Sequence, residues 1–208
     1  MRLNASTAAL LVITALAFGS CDGKAVDARK RMSAEYDKVT GKLKLLKYDS
    51  DGNGVVDTLS YMDGARVVRI EIDKNEDGKV DRWEYYDANQ KVEKIGTSRN
   101  GDGKEDSWSY PAADGSIARV DISLKHDGKV SRVEHYDKGV LVSAEEDSDG
   151  DGRMDKWETY EGDHLSSIAF DTTHRGTPDR RLIYGANGAA RLEVDPNGTG
   201  QFTVVTAK

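Results

Sequence analysis

Apolar side chains recur at every second position in short runs along this chain. Pairs of mostly apolar residues separated by one residue stand at Leu46/Tyr48, Ile70/Ile72, Ile95/Thr97, Val120/Ile122, Ile168/Phe170 and Leu192/Val194. Successive side chains of a β-strand point to opposite faces, so each pair shares one sheet face. The copy at Ala144/Glu146 breaks this pattern, and we expect a weak point there.

A second set of runs alternates with the first. The segments RWEYY, SWSY and KWETY are rich in aromatic residues, which favours strands. Dipeptides such as Asp63-Gly64 and Asp114-Gly115 follow these runs and supply the positive φ angles of a tight hairpin turn. The pattern therefore predicts a repeated unit of loop, strand, turn and strand.

One glycine marks the repeat. It returns at Gly54, Gly78, Gly103, Gly128, Gly152, Gly176 and Gly200, with gaps of 24 or 25 residues. A fixed period of this length is typical of repeat proteins, in which each unit packs against its neighbours. We expect an all-β fold, an elongated antiparallel β-meander of hairpin repeats with 24-25 residue units over residues 36–208, containing thirteen or fourteen strands.

Each repeated glycine is the sixth residue of a nine-residue segment. We name these segments loop 1 (49–57), loop 2 (73–81), loop 3 (98–106), loop 4 (123–131), loop 5 (147–155), loop 6 (171–179) and loop 7 (195–203), and we number positions within them from 1 to 9. Loop 2 with its continuation, DKNEDGKVDRWEY, has acidic or amide residues at positions 1, 3, 5 and 9 and a glutamate at position 12. This spacing resembles the EF-hand calcium loop, which implies a Ca²⁺ site.

Four loops retain enough oxygen ligands to predict ion binding. The predicted ligands are Asp49, Asp51, Asn53, the Val55 carbonyl and Asp57 in loop 1; Asp73, Asn75, Asp77, the Lys79 carbonyl, Asp81 and Glu84 for loop 2; Asn100, Asp102 and Asp106 in loop 3; and Asp147, Asp149, Asp151, the Arg153 carbonyl, Asp155 and Glu158 for loop 5. Loop 3 has Ser98 at position 1 and is expected to bind more weakly. The alternative is that these side chains only stabilise turns through the backbone, without an ion.

Loops 4, 6 and 7 are predicted to hold no ion. Lys125 stands at position 3 of loop 4, Arg175 at position 5 of loop 6, and Asp195 is the only carboxylate of loop 7. All three loops keep the glycine, so the turn is expected to matter even without metal.

The first residues are typical of an export signal. An apolar stretch from Ala8 to Phe18 is too short for a comfortable transmembrane helix, and small residues precede Cys21, the only cysteine. LAFGSC resembles the lipobox of bacterial lipoproteins, which implies a signal peptide at 1–20 and lipidation of Cys21. Residues 21–35 would then be a lipidated cysteine and polar tether. The alternatives are a plain secretory signal and an uncleaved anchor.

The net charge and the motifs of the sequence argue against several classes of function. The net charge of −7 argues against a nucleic-acid partner. The four histidines, His126, His135, His164 and His174, are scattered through the repeat without paired spacing, so we expect solvated or strand-lining roles for them. Nucleophile elbows, phosphate-binding glycine loops and Cys/His clusters are absent from the sequence.

The repeat gives a functional expectation. The W-x-Y-Y segment, turn glycines and Tyr-Asp pairs such as Tyr86-Asp87 resemble MORN-type and YD-type hairpin repeats. We expect a calcium-binding, membrane-anchored lipoprotein of the bacterial cell envelope, periplasmic or surface-facing, that is not an enzyme. It would be a structural or binding module for a protein or glycan partner. The alternatives are a calcium-responsive sensor and an envelope enzyme that acts on polysaccharide.

Overall fold

The computed structural model describes residues 29–185 and 188–205. The predicted signal peptide and Cys21 lie outside these residues. Within the described ranges, none of the helical segments has the length and hydropathy needed to traverse a bilayer. The described part of the chain is a succession of β-strands joined by turns and loops.

The strands are short and follow one another along the whole described chain. They are β1 (Met32–Tyr36), β2 (Leu43–Tyr48), β3 (Thr58–Asp63), β4 (Arg66–Ile72), β5 (Arg82–Tyr86), β6 (Val92–Thr97), β7 (Ser107–Pro111), β8 (Ile117–Ile122), β9 (Arg132–Asp137), β10 (Val140–Glu146), β11 (Lys156–Glu161), β12 (His164–Phe170), β13 (Arg180–Tyr184), β14 (Ala190–Val194) and β15 (Thr203–Val204). The predicted all-β, antiparallel hairpin meander is confirmed, with fifteen described strands where thirteen or fourteen were expected.

The described chain divides into two compact units. The first ends at Glu105 and contains β1 to β6, and the second begins at Asp106 and contains β7 to β15. Within each unit, every strand pairs antiparallel with its neighbours in the chain. The connections therefore alternate between tight hairpin turns and the nine-residue loops.

Strand alternation places the predicted apolar pairs on one sheet face. In the first unit Ile70 and Ile95 are buried on this face, and in the second Ile122 and Ala144 are buried there. Trp83 is buried on the opposite face, beside Glu71 in the register. Trp83, from the segment RWEYY, therefore contributes its large apolar area to the core.

The expected weak point at Ala144/Glu146 is filled by charged side chains. Ala144 is 2% exposed. The Glu146 carboxylate accepts a hydrogen bond from Arg132 at 2.8 Å and one from Lys156 at 3.4 Å. Because ionic contacts replace the missing apolar side chain, the unit keeps its packing where the apolar pattern fails.

The repeat begins earlier than the sequence predicted. Strand β1 starts at Met32, within residues 21–35 that were predicted to be tether, and it pairs with β2 from Met32↔Tyr48 to Tyr36↔Leu43. Its sequence, MSAEY, lacks apolar alternation because four of its five residues are exposed. Backbone hydrogen bonds to β2 define this strand, and because backbone groups are the same in every residue, they produce no recognisable pattern of side chains.

Candidate metal centre

All seven loops share one hydrogen bond that closes the turn. The side chain at position 1 accepts the backbone N–H of the glycine at position 6, which has φ between +80° and +96° in every loop except loop 7, where φ is +79°. The distances are 2.9 Å to Gly54, 2.8 Å to Gly78, 3.3 Å to Gly103, 3.1 Å to Gly128, 2.9 Å to Gly152, 2.5 Å to Gly176 and 2.6 Å to Gly200. The turn is therefore held together by its own side chains, in loops with and without predicted ion ligands.

Position 9 closes the other half of the loop. Its side chain accepts the backbone N–H of position 2, at 2.9 Å in loops 1 and 2, 3.0 Å in loops 4 and 5, and 2.6 Å in loop 6. In loop 4 the acceptor is the hydroxyl of Ser131, which shows that a carboxylate is not needed for this bond. The acids predicted as ligands at positions 1 and 9 thus also have a structural role.

Loop 1 brings three carboxylates together. One oxygen each from Asp49, Asp51 and Asp57 lies within 4.8 Å of the others. Asp49 and Asp57 are 8% and 7% exposed, whereas Asp51 is exposed. Burial opposes ionisation of Asp49, but three backbone N–H donors, led by that of Gly54, outweigh it and lower its pKa. A group of three carboxylates fits a hard dication such as Ca²⁺.

Loop 5 repeats this group and adds a second one. Asp147, Asp149 and Asp155 have oxygens within 4.8 Å of one another, and so do ligand atoms of Asp149, Asp151 and His174. His174 belongs to loop 6, and its Nδ1 lies 3.4 Å from Asp149 Oδ2. Burial opposes ionisation of Asp155, but the hydroxyl and N–H of Ser148 outweigh it and lower its pKa.

The predicted ligands of loops 2 and 3 are less concentrated. Among the described residues, neither loop contributes to a group of three metal-ligating side chains. In loop 2 the side chains of Asp73, Asn75 and Asp77 accept backbone N–H groups of their own loop, and Asp81 accepts that of Lys74. We therefore place loops 1 and 5 ahead of loop 2 as ion sites.

Loop 3 uses its side chains for other bonds. Asn100 accepts the N–H of Asp102, and Asp102 accepts the N–H of Lys104. Asp106 is 2% exposed, and its Oδ2 lies 2.5 Å from Nδ1 of His126 in loop 4. Because Asp106 is almost fully buried and its carboxylate already has His126 as a partner, we rank loop 3 last among the four predicted sites.

Position 7 has the same geometry in the three loops with the most carboxylates. The N–H groups of Val55, Lys79 and Arg153 donate to the position-5 side chains at 2.7, 2.9 and 2.8 Å. This bond fixes the peptide that follows position 5. The carbonyl groups of these residues remain predicted ligands.

The position-12 glutamates belong to the sheet, which corrects their assignment as ligands. Glu84 accepts hydrogen bonds from Arg82 at 2.9 Å and from Tyr86 at 2.8 Å. Glu158 accepts from Arg132 at 2.7 Å and from Tyr160 at 2.8 Å, and it pairs with Lys156 at 2.8 Å. An EF-hand presents position 12 from a helix, whereas here a strand directs it onto the sheet face.

Loop 4 supports this correction. Its position-12 residue, Glu134, accepts from Arg132 at 2.9 Å and from Tyr136 at 2.7 Å, although loop 4 has Lys125 at position 3. The shared sequence signal is a basic residue, Glu and Tyr at alternate positions, seen in RWEYY, RVEHY and KWETY. It marks an ion pair with a tyrosine on one strand face, which the calcium-loop interpretation missed.

Comparisons with known proteins give no family. No family model matches the chain, and no curated protein matches it. One similar solved structure is a mutant of S. aureus TarM in complex with fondaparinux, alpha-GlcNAc-glycerol and UDP, with 15% identity, a TM-score of 0.38, and coverage of 46% of this chain and 18% of that one. Another is accessory secretory protein 1, 2 and 3 of Streptococcus pneumoniae, with 15% identity, a TM-score of 0.38, and coverage of 57% and 20%.

These matches correct one expectation. The expectation that the protein is not an enzyme is contradicted by these matches. We therefore withdraw it. This chain spans about a fifth of the length of each matched chain, and likenesses at this TM-score carry no argument for a particular activity.

Proposed function

We propose that this protein is a calcium-binding lipoprotein of the bacterial cell envelope, which presents its hairpin repeats as a binding module to a protein or glycan. The observation that carries the proposal is the clustering of carboxylate side chains in loops 1 and 5. Each loop holds three carboxylates whose oxygens approach within 4.8 Å. Like charges at this separation repel one another, so a dication would stabilise the folded loop.

The turn bonds indicate how calcium would act. Because positions 1 and 9 already close loops 1 and 5 through backbone N–H groups, the ion would bind to a preformed loop. This geometry favours a stabilising role over that of a sensor that changes shape. We expect affinities on the order of 10⁻⁴ to 10⁻³ M, as in extracellular calcium modules.

Membrane attachment is the second part of the proposal. It is supported by the sequence LAFGSC, which ends at Cys21. Attached acyl chains would hold the protein at the membrane surface, since two or more chains anchor far better than one. We expect Cys21→Ser to abolish incorporation of labelled palmitate and to release the protein from the membrane fraction. Continued labelling of this variant would exclude Cys21 as the anchor.

Calorimetric titration with Ca²⁺ tests the metal site. The chain from residue 22 onward is compared with the Asp51→Asn/Asp149→Asn double variant. Asp163→Asn is the matched control, because the Asp163 side chain is 89% exposed in a hairpin turn. We expect the double variant to lose the heat of two sites and the control to retain it. Equal heats in all three proteins would exclude calcium binding at loops 1 and 5.

A further inference from the structure

Position 4 of each even-numbered loop reaches into the preceding odd-numbered loop, and in loop 4 it is His126, which contacts Asp106 at position 9 of loop 3. In the first unit the side-chain amide of Asn53 donates to both carboxylate oxygens of Glu76 in loop 2, at 2.7 and 2.8 Å. In the second unit His174 of loop 6 approaches Asp149 of loop 5. Glu76 and His174 have φ of +57° and +55°, so the two side chains leave the backbone in the same conformation.

These contacts form two equivalent corners. Corner 1 consists of position 3 and position 5 of loop 1 with Glu76, and corner 5 consists of the same positions of loop 5 with His174. The members are Asp51, Asn53 and Glu76 in corner 1, and Asp149, Asp151 and His174 in corner 5. The side-chain amide of Asn53 joins corner 1 by donating also to Asp51 at 3.1 Å. The cross-loop contact is therefore a feature of the repeat, found in each of the two compact units.

The two corners differ in their donor atoms. Corner 1 offers the carboxylate oxygens of Asp51 and Glu76, which both accept from the Asn53 amide, while corner 5 offers two carboxylates and an imidazole nitrogen. Hard cations such as Ca²⁺ take oxygen ligands, whereas imidazole with carboxylates suits Zn²⁺ and other first-row transition metals. The three donor atoms of corner 5 lie within 4.8 Å of one another, a separation that one ion can bridge.

We propose that His174 supplies a nitrogen ligand to an ion held by Asp149 and Asp151, so that loop 5 binds a transition dication in preference to Ca²⁺, while loop 1, which has no imidazole beside it, binds Ca²⁺. The inference rests on the proposed function in one respect, since it takes loop 5 to be an ion loop. It deepens that function by making the position-4 residue of the following loop the determinant of metal selectivity. Loop 6 contributes this residue although its own positions 3 and 5 are Thr173 and Arg175.

Zn²⁺ alone is the probe, titrated against a chromophoric zinc chelator with the chain from residue 22 onward. The test variant is His174→Asn, because asparagine tolerates the positive φ and lacks the imidazole. His164→Asn is the control, since His164 is 85% exposed and pairs with Asp163 in a hairpin turn. We expect His174→Asn to weaken Zn²⁺ binding about tenfold or more and the control to leave it unchanged.

The reciprocal variant guards against a loss caused by misfolding. Glu76→His places an imidazole at corner 1, and we expect it to add one equivalent of bound Zn²⁺. Cu²⁺ electron paramagnetic resonance should show nitrogen coupling in the wild type that is absent from His174→Asn. Equal Zn²⁺ binding by the wild type, His174→Asn and Glu76→His would mean an adventitious ion only and would overturn the inference.

Calcium titration separates this inference from the proposed function. If Ca²⁺ binds at loop 1 while the Zn²⁺ affinity does not depend on His174, the inference fails and the calcium function stands. If Ca²⁺ does not bind but Zn²⁺ binding depends on His174, the calcium function fails and the metal site at corner 5 stands.

Discussion

Loops 5 and 6 are neighbours in the second unit and have the same backbone frame with different centres. In both, the position-1 aspartate accepts the glycine N–H of position 6, at 2.9 Å for Asp147 and 2.5 Å for Asp171. In both, the position-9 aspartate accepts the N–H and hydroxyl of position 2. The frame is thus independent of what the loop centre holds.

The centres differ at positions 3 and 5. Loop 5 has Asp149 and Asp151 there, while loop 6 has Thr173 and Arg175. In loop 6 the Arg175 Nε donates to the Thr173 hydroxyl at 2.9 Å, which in turn donates to Asp171 at 3.1 Å. The guanidinium group of Arg175 therefore lies in loop 6 where loop 5 could bind a metal ion. The comparison teaches that positions 1, 6 and 9 make the turn, and that positions 3 and 5 decide whether it takes a metal ion.

The largest expected effect lies at position 12, where loop 5 is followed by Glu158 and loop 6 by Leu182. Glu158→Ala would remove one of the two carboxylates that Arg132 and Lys156 share, with Glu146 as the other, and would leave the Tyr160 hydroxyl without its acceptor. Such a loss in a mostly buried network costs on the order of 3 kcal/mol. We expect urea unfolding to show this loss and Ca²⁺ titration to show unchanged affinity. Glu161→Ala, at the exposed end of the same strand, is the control. A loss of calcium affinity in Glu158→Ala would restore Glu158 as a ligand.

The same carboxylate predicts how stability responds to acid. Burial opposes ionisation of Glu158, but hydrogen bonds from Arg132, Lys156 and Tyr160 outweigh it and lower its pKa from 4.5 to about 2. A carboxylate with a lowered pKa contributes stability that is present above its ordinary pKa and is lost as the pH falls towards 2. We expect the free energy of unfolding of the wild type to fall between pH 4.5 and 2 by more than that of Glu158→Gln. Parallel pH profiles for the two proteins would contradict this.

Removing the position-1 aspartate should have the next largest effect. Asp147→Ala and Asp171→Ala each leave the glycine N–H of position 6 without its acceptor, at a cost of about 1–3 kcal/mol. In the presence of a chelator we expect similar losses in thermal unfolding, because the frame is the same. Excess Ca²⁺ should then stabilise Asp171→Ala more than Asp147→Ala, since only the latter loses a candidate ligand. A difference between the two variants without metal would break the comparison.

The sequence predicted the repeated loops and strands of this fold better than the side-chain contacts between the loops. The glycine period predicted the loops because a positive φ at one position leaves a residue signature that any copy must keep. The EF-hand pattern wrongly predicted Glu84 and Glu158 as ligands, since a strand and a helix direct the side chain at position 12 differently. The contacts of Glu76, His126 and His174 join side chains that are at least 20 residues apart in the chain. Such contacts depend on how the loops come together, which spacing within one loop does not encode.

The smallest expected effect on stability comes from the most direct test of the conclusion that positions 3 and 5 decide whether a loop binds a metal ion. Thr173→Asp/Arg175→Asp gives loop 6 carboxylates at positions 1, 3, 5 and 9 and removes the guanidinium from its centre. We expect calorimetry to show one additional Ca²⁺ equivalent, and Ca²⁺ at ten times the dissociation constant to stabilise the variant by about 1.4 kcal/mol more than the wild type. Arg175→Ala is the control, because it removes the cation, with its hydrogen bond to the Pro196 carbonyl, and adds no ligand. If the double variant folds and takes up no further calcium, carboxylates at positions 3 and 5 are not sufficient, and the metal preference of loop 5 must come from a group outside its nine residues.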